Sequence, residues 1–303
     1  MPTSPRVSPT SAPAPSLPAA LRLGPVHITV SDLARSIVFY ERSIGLQVHG
    51  RDGSIARLGA GEEDLLVLVE ELAPRPAGRH AGLYHFALLH PSRVELARAA
   101  LRLAATRTPI SGASDHGISE AIYLPDPDGN GIELAADRPR SSWPDLSNPG
   151  WDGGPEPLDM ESLLELVEGE EPRAHADPRL VVGHLHLHVG DIERGLAFYR
   201  DVLGFEAMTL MDSAAFMAAG GYHHHVGFNV WRGRGVPPAP AGTVGLREWT
   251  VLLPSATDVD AVRERVAAAG IEVEPREDGA FLVRDPWNNA LVLATPTEVQ
   301  GSK

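Results

Sequence analysis

The sequence contains no cysteine. That excludes disulfides, thiolate metal sites, iron–sulfur clusters and a cysteine nucleophile. No run of about 18 apolar residues occurs, so nothing reads as a membrane-spanning helix. Aromatic residues are only 6%, too sparse to suggest a base-stacking platform for nucleic acid. Positive charge is also short: 26 Lys and Arg stand against 40 Asp and Glu, for a net charge of −14. An acidic surface repels phosphate, which argues against nucleic acid and anionic membranes as partners. The 13 histidines remain, so metal or acid–base chemistry must rest on His with Asp, Glu or Tyr. At 303 residues, with 43% apolar and 22% charged residues, the chain reads as a soluble protein of two domains.

Residues 1–21 are rich in Pro, Ser, Thr and Ala and lack the apolar core of a signal peptide, which predicts a disordered tail and a cytoplasmic protein. A second stretch rich in Pro, Gly and acid, 141–179, reads as a linker carrying one short helix near Asp159–Val167. The regions around it repeat. Val26-His27-Ile28-Thr29-Val30-Ser31-Asp32, then Phe39-Tyr40 and Gly45, recur 159 residues later as Leu185-His186-Leu187-His188-Val189-Gly190-Asp191, Phe198-Tyr199 and Gly204. Each copy reads as a strand, a helix capped by Asp32 or Asp191, and a glycine stop. Gly82–Leu89 likewise matches Gly245–Leu252, and Asp126-Pro127 matches Asp285-Pro286 before a final strand. The chain is four similar units, starting near residues 24, 82, 183 and 245, paired two and two.

Side chains alternate along strands. In Val26–Val30 the valines and isoleucine take the helix side, and His27 and Thr29 the other. In Tyr84–Leu88 the tyrosine, phenylalanine and leucine share one face and His85 points opposite; in Gly131–Ala135, Glu133 opposes Ile132 and Leu134. His27, His85 and Glu133 make two imidazoles and one carboxylate, enough for a facial metal site. Each alone reads equally well as a structural histidine or a solvated acid.

The segment Asp115-His116 through Ile122-Tyr123, Asp126-Pro127, Gly129 and Glu133 resembles the extradiol ring-cleavage signature, and the four-unit pattern resembles the vicinal oxygen chelate superfamily of glyoxalases, bleomycin-resistance proteins and type I extradiol dioxygenases. The resemblance covers about residues 22–140 and 180–296. It is nearest to the catechol-2,3-dioxygenase-like proteins. It implies an α+β fold, with four βαβββ units forming two paired-unit domains with open mixed-sheet barrels: a first domain over 22–140 with the metal site, a second over 180–296 that is degenerate, and a tail over 297–303. It implies Fe(II), with Mn(II) as the alternative, held by His27, His85 and Glu133. His116 would be an acid–base or hydrogen-bonding group, and Tyr123 would bond a substrate oxygen. The partners implied are a small aromatic diol and O2, in a chain compatible with a homo-oligomer. Ser114 departs from the signature. So does its position, since the two-domain extradiol enzymes carry it in the C-terminal half.

The C-terminal half carries Glu248 where His85 stands and Val292 where Glu133 stands. It also holds His184, His186 and His188 on one strand face, and the run His223-His224-His225. His186, one of His224 and His225, and Glu248 form a candidate second metal set; a remnant pocket or a subunit contact would use the same residues. Two rival functions remain. A glyoxalase-like isomerase or lyase would want a fourth ligand, and Leu65–Val69 offers no carboxylate. A non-catalytic binder of an aromatic antibiotic or metabolite would need no metal triad.

Overall fold

The computed structural model describes residues 16–144 and 155–296. Residues 1–15 and 297–303 of the two expected tails, and 145–154 of the expected linker, lie outside them. The first unit comprises β1 (Arg22–Val30), α1 (Leu33–Phe39, extended by a π-helical turn over Tyr40–Ile44), β2 (Gln47–Asp52), β3 (Ile55–Gly59) and β4 (Leu66–Glu70). The second comprises β5 (Gly82–His90), α2 (Arg93–Ala105), β6 (Gly112–Asp115), β7 (Ser119–Pro125) and β8 (Gly131–Asp137). Between the halves lie β9 (Glu156–Pro157) and α3 (Met160–Glu165). The third unit has β10 (Val181–His188), α4 (Ile192–Leu196, extended by a π-helical turn over Ala197–Val202), β11 (Glu206–Met211), β12 (Ala214–Ala218) and β13 (Val226–Asn229). The fourth has β14 (Gly245–Leu252), α5 (Ala256–Ala268), β15 (Glu274–Pro275), β16 (Phe281–Arg284) and β17 (Ala290–Ala294).

Local chemistry sets the helix ends. Asp32, Ser92, Asp191 and Ser255 each accept the backbone N–H three residues on, satisfying donors that a helix start leaves unpaired. Gly45 closes the first helix with φ of 85°, a left-handed conformation that glycine adopts without strain.

The sheets correct the expected architecture. The strand orders are β15-β16-β17-β14-β1-β4-β3-β2 and β11-β12-β13-β10-β5-β8-β7-β6-β9, both mixed and neither closed into a barrel. The first sheet joins the first unit to the fourth, with β1 antiparallel to β14. The second joins the second unit to the third, with β5 antiparallel to β10. The two units within each half are instead tied through their helices and turns. Arg102 of α2 donates to the carbonyls of Ile44 (2.9 Å) and Ser43 (3.4 Å), and Arg265 of α5 does the same to Leu203 (2.8 Å) and Val202 (3.3 Å). Tyr40 donates to Asp126 and Tyr199 to Asp285, both at 3.1 Å and both buried. One continuous apolar core runs through both sheets.

Residues 16–21 are not a free tail. Leu17 is buried and its N–H donates to the Gly204 carbonyl at 2.9 Å. In the linker stretch, α3 buries Leu163 beside α2, and β9 adds itself to the edge of β6. No helix among the described residues is long and apolar enough to cross a membrane.

Candidate metal centre

The site forms where β8, β5 and β10 lie side by side. Parallel pairing sets Glu133 opposite Ala87, and antiparallel pairing sets Ala87 opposite His184. Glu133, Ala87 and His184 therefore form one row across three strands. His85 precedes Ala87 by two residues and shares its face. The methyl group of Ala87 leaves the middle of the row open, and two imidazoles and a carboxylate converge over it. Glu133 Oε2 lies 3.0 Å from His85 Nε2 and 3.1 Å from His184 Nε2, and all three residues are buried.

The donor set fits a divalent metal. His85 Nε2 is buried and has no hydrogen-bond partner: despite its nearness, the Glu133 oxygen is not aligned to accept from it. A nitrogen aimed at an anion it does not bond presents a lone pair where a cation would sit. Burial pushes the His85 imidazole below its ordinary pKa, outweighing the pull of Glu133. Burial by itself would raise the pKa of Glu133, but the His184 and His85 imidazoles hold it well below the usual carboxylate range. Neutral imidazole beside ionised carboxylate suits Fe(II) or Mn(II) and leaves coordination positions free.

The set of His27, His85 and Glu133 expected from sequence is thus not brought together. His27 lies in the other sheet, where β1 pairs with β14 and sets it opposite Glu248, with Nδ1 3.7 Å from Oε1. The third nitrogen comes from His184 of the third unit. The second candidate set is not brought together either. His186 and His224 line the same cavity as His85, Glu248 sits in the first sheet with His27 and Arg276, and His225 turns aside to accept the Ala219 N–H at 3.3 Å. Tyr84 also departs from strict alternation. His186 pairs with His85 and Leu187 with Leu83, so Tyr84 is the extra residue of a β-bulge and comes to the cavity side with His85. Gly131 permits this, because any side chain there would collide with the Tyr84 carbonyl.

The cavity measures about 380 Å3, and His85 and Glu133 of the donor set line it. His116 and Tyr123 both line it, joined Nε2 to Oη at 2.9 Å. Burial pushes the Tyr123 hydroxyl far above its ordinary range, so it stays a hydrogen-bond donor. Opposite stands an arrangement that sequence reasoning missed. Asp137 Oδ1 lies 3.0 Å from His223 Nε2, and His223 Nδ1 lies 2.8 Å from His224 Nδ1. Burial lowers the pKa of both rings, so both are neutral at pH 7. His223 then donates Nε2–H to the carboxylate and accepts Nδ1–H from His224, which leaves His224 Nε2 unprotonated. The His224 ring centre is 4.0 Å from that of His184. On the remaining wall Asn229 donates to His186 Nε2 (2.9 Å) and accepts from His188 Nδ1 (2.8 Å), fixing both rings. The histidine alternation over 184–188 was visible in the sequence; the signal lacking was which unit it would face.

Known proteins resemble this chain in sequence and in fold. The family described as the Glyoxalase/Bleomycin resistance protein/Dioxygenase superfamily matches residues 22–134 and 181–293. A protein of Bacillus subtilis (strain 168) named catechol-2,3-dioxygenase is 42% identical over 275 residues, covering 89% of this chain and 95% of its own. Among solved structures, a putative dioxygenase from Bacillus subtilis subsp. subtilis str. 168 superposes with a TM-score of 0.61 at 14% identity, covering 91% of this chain and 86% of its own. Glyoxalase I from Zea mays superposes at 0.57 with 19% identity, covering 90% and 92%. At such identities the two structures speak for the fold alone.

Proposed function

The chain belongs to the Glyoxalase/Bleomycin resistance protein/Dioxygenase superfamily, and from that premise we propose that it is an extradiol-type ring-cleaving dioxygenase acting on a catechol-like aromatic with O2. The observation that carries this reading is the convergence of His85, His184 and Glu133 over Ala87, with His85 Nε2 buried and unbonded. The 42% identical relative is named for the same chemistry. These residues would hold Fe(II), or Mn(II). When bound, the metal supplies redox reactivity and adjacent open positions for the diol and O2.

The chain's own groups do the rest. Tyr84, His186 and Trp231 line the cavity with Ile118 and Phe216, and these apolar and aromatic groups would hold a flat ring. His224 Nε2, unprotonated, accepts a proton from a substrate hydroxyl, and His223 and Asp137 orient the ring and stabilise the resulting charge. Tyr123 Oη donates to oxygen as negative charge develops there, and His116 Nε2 fixes where that hydroxyl points. Loading with Fe(II) without air, then adding catechols and O2, should give a yellow ring-opened product. Iron-loaded protein that leaves a broad catechol panel unchanged would sink the reading.

A further inference from the structure

The Asp137 carboxylate takes one donor on each oxygen. His223 Nε2 lies 3.0 Å from Oδ1, and the Tyr222 hydroxyl donates to Oδ2 at 2.8 Å. Burial, and then Asp137 itself, push that hydroxyl well above its ordinary range, so it stays a donor. The Tyr222 ring also lies on the His223 ring, with centres 4.0 Å apart and planes 35° apart. Trp143 packs against both rings, at 5.9 Å and 5.3 Å, and its indole N–H is tied to the Arg138 carbonyl at 2.8 Å. Arg140 donates to the carbonyls of Gly220 and Gly221 at 3.0 and 2.6 Å, which anchors the turn that leads into Tyr222. His223 and His224 line the large cavity, but Tyr222 does not. It lines a smaller one of about 170 Å3 with Leu89, Val182 and His225. Tyr222 therefore meets the site only through Asp137 and His223.

A neutral imidazole carries one N–H, and the partner of one nitrogen decides the state of the other. The row Asp137–His223–His224 can hold its protons in two senses. In one, His223 donates Nε2–H to the carboxylate and accepts from His224 Nδ1–H, so His224 Nε2 is bare. In the other, His223 donates Nδ1–H to His224, whose Nε2 then carries the proton and accepts none. The carboxylate selects the first sense only while its oxygen stays aimed at His223. The Asp137 side chain is 23% exposed, so water competes for it. We propose that Tyr222 is the positioning residue of this pair: it holds the Asp137 carboxylate and the His223 ring so that His224 presents an unprotonated Nε2 to the cavity. The tautomer stands on the geometry of the chain, and its use in turnover rests on the dioxygenase reading above.

Tyr222→Phe removes the hydroxyl and keeps the ring. Tyr199→Phe removes a similar bond, to Asp285, from a residue that does not line the cavity, and is the control. Nitrogen NMR of the full chain, with isotope-labelled histidine and before iron is added, reads the tautomers near neutral pH. Wild type should show His223 protonated at Nε2 and His224 at Nδ1; the opposite pair would overturn the proposal without any variant. Tyr222→Phe should mix the two tautomers, and Tyr199→Phe should leave them as in wild type. With Fe(II), catechol and O2, kcat of Tyr222→Phe should fall about tenfold, the scale of one hydrogen bond to a charged group, with KM for catechol held within about twofold. Wild-type tautomers or an unchanged kcat in Tyr222→Phe, a loss confined to KM, or an equal loss in Tyr199→Phe would each overturn the positioning role. Tautomers that shift as expected in a protein that opens no catechol would overturn the dioxygenase reading and leave the positioning of the pair standing.

Discussion

Ala87 shows how little separates a metal site from a filled core. It lies between Glu133 and His184 on three adjacent strands, and only its small side chain keeps the three donors facing open space. Glu133→Gln and His184→Ala should each abolish stoichiometric Fe(II), measured by metal analysis of folded protein. Loss of supporting groups alone commonly costs about 10–100-fold in affinity. Ala87→Leu should do the same without touching a ligand, by filling the position. His27→Ala should keep its metal in full; loss of iron in that variant would return His27 to the site. A residue outside the site contributes to acid stability. His90 is buried at the end of β5 with neither ring nitrogen bonded, and burial, with Arg102 nearby, lowers its pKa to about 3. The unfolded chain takes up this proton at about pH 6.5 and the folded chain does not, so stability is lost as pH falls below that value toward 3. Between pH 7 and 5 the loss is about 2 kcal/mol. His90→Leu should remove it, so that urea unfolding of wild type and variant diverges by that amount across the range. Parallel pH profiles would refute this.

At the scale of elements, duplication doubles the ties between helix and turn. Tyr40 and Tyr199 each end a first helix and donate to an aspartate in the turn before a last strand. Both acids are buried and also hydrogen-bonded by an asparagine, Asn130 or Asn289. Removing either hydroxyl leaves its carboxylate the other donors. Tyr40→Phe and Tyr199→Phe should therefore each cost about 1 kcal/mol in denaturant unfolding, nearly additively in the double variant. An effect confined to one copy would mean that the two ties are not equivalent. These ties were half legible. The 159-residue offset of Phe-Tyr and Asp-Pro was plain in the sequence, and so were the caps Asp32, Ser92 and Asp191, because both depend on neighbours within a few residues. The bulge at Tyr84 was not. Its cause is the register between β5 and β10 with the close approach at Gly131, and neither is written in the alternation of Tyr84–Leu88.

The whole molecule explains why one ligand was misplaced. Residues of the right kind were legible: His85, Glu133, His116 and Tyr123 all reach one cavity. What strand periodicity cannot give is which unit pairs with which, since the four share one pattern of buried faces. Pairing in chain order would have set His27 beside His85. The sheets pair second with third and first with fourth, so His186, the counterpart of His27, stands opposite His85, the third ligand His184 lies two residues before it, and His27 meets Glu248. The metal centre is consequently shared between the halves, with two ligands before the linker and one after it. Each half also carries only half of each sheet, and the first strand of every unit has its antiparallel neighbour in the other half. A fragment of residues 1–144 would expose β1 and β5 along edges that β14 and β10 normally cover, leaving backbone groups and apolar faces without partners. Fragments 1–144 and 155–303, produced separately, should each fail to bind Fe(II) and should aggregate or sediment as unfolded chains. Produced together, they should assemble one-to-one and recover the metal, because both sheets close across the cut. Stoichiometric iron on the first fragment alone would contradict a site that needs His184.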